Sequence, residues 1–124
     1  MNRVEKGKKY EEAAVGFLKE KGFFVLERNY RCRQGEVDVI GIHDNCLVFV
    51  EVKYRKDNSR GVPEEAVGVS KQKKICHTSD YFRISHKKYF SMQVRYDVVA
   101  ITGDENHITW HRNAFMYQGN AHCF

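Results

Sequence analysis

The chain has 124 residues, of which 42% are hydrophobic, 30% charged and 13% aromatic, with a formal charge of +5. Such a length and composition predict a single folded domain over residues 1–124 and exclude a disordered chain or a core held only by disulfides. No apolar stretch approaches the roughly 20 residues needed to span a bilayer, and the charged start Met1-Asn2-Arg3-Val4-Glu5-Lys6 lacks the apolar centre of a secretory signal.

Tyr10, Ala13, Ala14, Phe17 and Leu18 recur at helical spacing and predict a first helix over residues 4–21, stopped by Gly22. Residues 23–31 read as a first strand, with Phe24, Leu26 and Arg28 opposite Phe23 and Val25. A turn at Gln34-Gly35 leads into a second strand, Val37-Asp38-Val39-Ile40-Gly41-Ile42. The polar segment His43-Asp44-Asn45 has turn chemistry and predicts a hairpin to a third strand, Leu47-Val48-Phe49-Val50, which ends in Glu51-Val52-Lys53. A mobile loop is expected over residues 55–69, which hold the only proline, Pro63. Ser70 is positioned to cap a second helix reaching about Ile84, with Ile75, Thr78 and Phe82 on its inner face. Residues 94–101 and 108–112 complete the strands. The order αβββαββ predicts an α/β domain, a mixed central β-sheet flanked by two helices.

Cys32, Cys46, Cys76 and Cys123 are far apart and form no Cys-x-x-Cys pair, so reduced thiols and a cytoplasmic location are expected. The histidines are scattered too, and the pair His107 and His111 reads as structural or surface. Positive charge has more order. Arg28, Arg31 and Arg33 precede the Asp38 strand, Arg55, Lys56 and Arg60 follow Glu51, and Lys71, Lys73 and Lys74 open the second helix. A solvated face would bear no such relation to the carboxylates. Arg31, Arg33, Arg55, Lys56 and Lys71 are therefore the expected phosphate contacts of a nucleic acid.

Glu51 and Lys53 share one strand face, and a hairpin would bring Asp38 beside them. A buried carboxylate or ammonium is costly unless paired or used. Two carboxylates suit Mg²⁺ or Mn²⁺, which take oxygen ligands and keep several waters, and the backbone carbonyl of Val52 is a candidate third ligand. Lys53 is placed to orient an attacking water or to neutralise charge developing on phosphorus. A structural ion pair at a strand end has the same spacing, and D-x12-E-x-K does not separate the two. Glu36, on the Asp38 face by alternation, reads as an arginine partner or a turn residue before it reads as a ligand. Asp97 reads as structural, tying down an arginine, and Tyr30 and Tyr54 as packing residues more readily than as stacking platforms for bases.

The ordered set Gly7-x3-Glu11-x2-Ala14-x2-Phe17-Leu18-x3-Gly22, Arg28-Asn29-Tyr30-Arg31, Gly35-Glu36-Val37-Asp38-Val39-Ile40 and Val48-Phe49-Val50-Glu51-Val52-Lys53-Tyr54-Arg55 resembles the YraN-like family of bacterial proteins. That family is similar to archaeal Holliday-junction resolvases within the PD-(D/E)XK nuclease superfamily. The resemblance continues through Gly61, Val67, Lys71 and Arg95-Tyr96-Asp97-Val98 to Asn113-Ala114-Phe115, nearly the whole chain. It implies a restriction-endonuclease-like core with Asp38, Glu51 and Lys53 at the positions of the catalytic signature, although Val37 stands where the signature has proline. Glu11 matches the helix glutamate that resolvase-like members add to the metal site, and resolvase relatives imply a homodimer. The expected function is a metal-dependent endonuclease on DNA, branched or structured DNA included, in repair or recombination. DNA is favoured over RNA as the partner, and the alternative is a non-catalytic nucleic-acid-binding module that keeps the nuclease fold.

Overall fold

The structure, a computed structural model, describes residues 3–55, 67–103 and 107–118. Helix α1 (Arg3–Glu20) is followed by strands β1 (Phe24–Cys32), β2 (Gly35–His43) and β3 (Cys46–Arg55), helix α2 (Val69–Ser85), a 3-10 turn at Lys87–Tyr89, and strands β4 (Gln93–Thr102) and β5 (Ile108–His111). The five strands form one sheet in the order β1-β2-β3-β4-β5. Only the β3–β4 pairing is parallel, and α2 lies in the crossover between those strands, where a parallel pair requires one. The chain is thus α/β, of order αβββαββ, with the mixed sheet of a restriction-endonuclease-like core. The bulk of the loop expected over residues 55–69, with Lys56, Arg60 and Pro63, lies outside the described residues, as does Cys123. At the ends of that range Arg55 still pairs with Thr102, and Val69 already belongs to α2.

Each face of the sheet has its own core. Ala14, Val15 and Leu18 of α1 pack on Val39, Val48, Val50, Val99 and Ile101. Ile75, Cys76 and Phe82 of α2 pack on Ile40, Leu47, Phe49, Tyr96 and Val98. Alternation along β3 therefore sends Val48 and Val50 to α1, and Leu47 and Phe49 to α2, which puts Glu51 and Lys53 on the α2 side.

Turn chemistry fixes the register. Asp44 and Asn45 both have positive φ (49° and 62°), as a two-residue hairpin turn between the paired His43 and Cys46 requires. Gly22, at φ 92°, ends α1, and the Phe23 N–H donates back to the Leu18 carbonyl at 3.0 Å.

Two sequence expectations are corrected. Ser70 does not cap α2: the helix begins one residue earlier, the preceding Gly68 is extended, and no side chain caps it. Instead the Gln72 side-chain amide donates to the Val67 carbonyl at 2.7 Å. In β1 the register shifts between Val25 and Glu27, a bulge that changes the side-chain phase. Arg28 consequently lies on the α1 side with Val25, where it bonds Glu12 at 2.7 Å, rather than beside Leu26.

Candidate metal centre

The candidate site sits where β2 and β3 part. Their antiparallel ladder stops at Val39↔Val50, so Val52, which would next face Val37, has no β2 carbonyl opposite. The Asp38 carboxylate takes that place: Val52 N–H donates to Asp38 Oδ2 at 2.8 Å. The strand turns over at this point, since Val39 packs on the α1 face and Val37 on the α2 face. On the neighbouring strand, between the pairs Arg28↔Val39 and Tyr30↔Val37, Asn29 adopts φ 52°. Asparagine tolerates that left-handed conformation better than other side-chain-bearing residues. A local break in two adjacent strands thus turns Asp38 out of the sheet and toward the end of β3.

Glu51 arrives from β3 and is only 8% exposed. The Asp38 charge acts directly on the Glu51 carboxyl. Burial, then the neighbouring Asp38 charge, pushes the Glu51 carboxyl up to about 7, while Lys71 and Lys53 pull it back. Burial also raises Asp38, opposed first by the Val52 N–H; Glu11 and Glu36 raise it further and Lys71 lowers it. Burial and mutual repulsion therefore both work against ionising the two carboxyls together unless a cation compensates them.

Glu11 projects from α1 on the far side of the break. Its Oε1 accepts from Asn29 Nδ2 at 2.7 Å and, more weakly, from Arg28 at 3.4 Å. It contributes field at Asp38 while being held by the residue that faces the break. Among the described residues, no three His, Cys, Asp or Glu side chains close around a common point. The donors brought together are therefore two carboxylates, all oxygen, a set that fits Mg²⁺ or Mn²⁺ retaining most of its water and does not fit a closed zinc site.

Of the basic residues, Lys71 lies closest in effect, since its charge acts on both Asp38 and Glu51. Sequence reasoning assigned it only to phosphate binding; its position at the start of the helix that crosses over from β3 to β4 was the available signal. Arg31 and Arg33 are exposed at the β1–β2 hairpin, where Arg31 pairs with Glu36 at 2.9 Å. The hairpin tip packs on α2, with Cys32 Sγ 3.7 Å from Thr78 Oγ1, so it shares an edge with the exposed Lys73 and Lys74. Arg55 ends β3, and Lys56 is outside the described residues.

Other residues have plain structural work. Asp97 is fully buried and saturated: it accepts two bonds from Arg95 at 2.8 to 2.9 Å, one from Trp110 Nε1 and one from the Asn113 N–H at 2.9 Å. Tyr54 stacks on Tyr10 with ring centroids 4.0 Å apart, and Tyr30 meets Phe82 edge-on. Among the described residues Cys32, Cys46 and Cys76 are not joined in disulfides.

Fold and site together define an α/β protein with a restriction-endonuclease-like core and a carboxylate pair, buried Glu51 and half-buried Asp38, beside lysines. Comparison with known proteins gives the family: the chain belongs to the one described as "Uncharacterised protein family UPF0102", matched over residues 10–101, which is the YraN-like family. It is 39% identical over 120 residues to the UPF0102 protein of Lachnoclostridium phytofermentans, covering 97% of this chain and 100% of the relative. Similar matches are the UPF0102 proteins of Cytophaga hutchinsonii (42% identical, 85% and 91% covered) and Pseudoalteromonas translucida (43%, 92% and 93%). Among the described residues no helix is long and apolar enough to cross a membrane.

Proposed function

We propose that this protein is a Mg²⁺- or Mn²⁺-dependent endonuclease that hydrolyses DNA phosphodiesters, with branched or structured DNA the foremost substrate. The supporting observation is the placement of the half-buried Asp38 and the buried Glu51 at the strand fork, where the charges of Asp38, Lys71 and Lys53 all act on Glu51. Two neighbouring carboxyls that resist ionising together are an unfavourable structural element and a good receptor for a divalent cation. Asp38 and Glu51 would hold the ion, with the Val52 carbonyl as a third oxygen and Glu11 supporting from α1. When bound, such an ion supplies polarisation of the phosphodiester and a more acidic water. Lys53 orients the attacking water, and Lys71 balances charge that builds on phosphorus. Arg31, Arg33, Arg55 and Lys56 steer the backbone of the nucleic acid. Cytoplasmic work on DNA and a homodimer that cuts paired strands belong to the same proposal.

The test is cleavage with Mn²⁺ across linear duplex, single-stranded, four-way DNA and RNA substrates. Glu51→Ala and Lys53→Ala are expected to lower cleavage by on the order of 100-fold or more. Absence of cutting on every substrate, or undiminished cutting by both variants, overturns the proposal. Salt-sensitive binding without turnover would identify the non-catalytic module instead.

A further inference from the structure

Asn29 stands opposite Asp38 in the β1–β2 register, between the pairs Arg28↔Val39 and Tyr30↔Val37. Its φ of 52° carries β1 from one face of the sheet to the other: Arg28 bonds Glu12 of α1, whereas Tyr30 packs on the α2 core. Glycine meets such a φ at the least steric cost. What asparagine adds is a side-chain amide, and that amide donates to Glu11 Oε1 at 2.7 Å.

Glu11 is held back from water, its side chain 16% exposed, and its charge acts on Asp38. Arg28 reaches the same oxygen at 3.4 Å, but its shorter bond, 2.7 Å, goes to Glu12. Both bonds to Glu11 therefore fall on Oε1 and neither on Oε2. A carboxylate anchored by one oxygen to an outer partner is the usual form of an oriented ligand. A neutral amide suits that work, because it fixes the group without cancelling its charge.

We propose that Asn29 is the positioning residue of the metal centre, holding Glu11 by Oε1 so that Oε2 is presented to the hydrated divalent ion of the fork. The inference rests on the metal reading of Asp38 and Glu51, and it adds what ties their site to α1. One backbone break then has two effects. It turns Asp38 toward the end of β3, and it sets the Asn29 amide against Glu11.

Mn²⁺ binding to the full chain without nucleic acid, followed by isothermal titration calorimetry, tests it. Wild type should bind, and Glu51→Ala should bind at least tenfold more weakly. No binding by wild type, or equal binding by Glu51→Ala, overturns the metal reading and this inference with it. Asn29→Gly keeps the left-handed backbone and removes the amide, and should weaken Mn²⁺ binding about tenfold. Asn29→Asp also tolerates that backbone, but replaces the donor with an oxygen that repels Glu11. It should weaken binding too, although a further negative charge near a cation site would by itself strengthen it. In a Glu11→Ala background neither substitution should weaken binding again, since Asn29 acts through Glu11. Wild-type affinity in Asn29→Gly, tighter binding in Asn29→Asp, or losses that multiply in the double variants leave the metal reading standing and overturn this inference alone.

Discussion

Glu51 carries the clearest pH signature in the protein. Its carboxyl rises from an ordinary 4.5 to about 7 because burial and Asp38 disfavour its charge. Between those values the folded state holds more protons than the unfolded one. The sign follows: this contribution is fully present below about pH 4.5 and is lost as pH rises through about 7, on the order of 3 kcal/mol. His43 works in the opposite sense. Burial lowers it below 6.5, so its share of stability is lost as pH falls. In metal-free buffer, Glu51→Gln is expected to remove the loss of stability between pH 4.5 and 7.5, read as urea midpoints against wild type. An unchanged pH slope in the variant would show that Glu51 is already ionised in the fold. Asp97 makes the contrasting residue-level case, since its partners depend on it. Asp97→Ala strands the Arg95 guanidinium, whose side chain is 12% exposed, and leaves the Trp110 and Asn113 N–H groups without their acceptor. A loss of about 3–5 kcal/mol is expected in denaturant unfolding, and a loss below 1 kcal/mol would contradict it.

At the scale of elements, the sheet is arranged by where it departs from regularity. Gly41 in β2 is pressed beneath the Phe23 ring and the Phe24 carbonyl, so a methyl there has no room against backbone. Gly41→Ala should cost about 1–3 kcal/mol by thermal or urea unfolding, more than an ordinary glycine replacement in a strand. The strands, helices and hairpin turn were legible in the sequence because local rules decide them: Gly22, Asp44-Asn45 and the periodicity of Ile75, Thr78 and Phe82 act within a few residues. Asp38, Glu51 and Lys53 were recognisable as a group for the same reason, one hairpin joining them. The bulge near Leu26 and the turnover at Asp38 were not legible. They depend on register between strands, which alternation within one strand cannot report. That is why Arg28 was assigned to the wrong face, and why the bond from Asn29 to Glu11 had no signal.

Across the whole molecule, the net +5 is arranged so that arginines of the β1–β2 hairpin and lysines of early α2 share an edge with the acidic fork. Such a surface should bind duplex DNA with an affinity that falls steeply with salt. Arg33→Ala or Lys71→Ala is expected to reduce the slope of log affinity against log salt by about one, measured without divalent metal. An unaltered slope in both would place the phosphate path elsewhere. The bond between Val52 and Asp38 has a consequence of its own at this scale. A peptide carbonyl is a constant acceptor, but a carboxylate changes strength whenever it gains a proton or a cation. On its β2 side the end of β3, paired with β4 on the other, is therefore fastened by a group whose grip varies with occupancy of the fork. Solvent exchange of the single Val52 amide should slow or quicken with that occupancy, so that the backbone itself keeps a record of what the site holds.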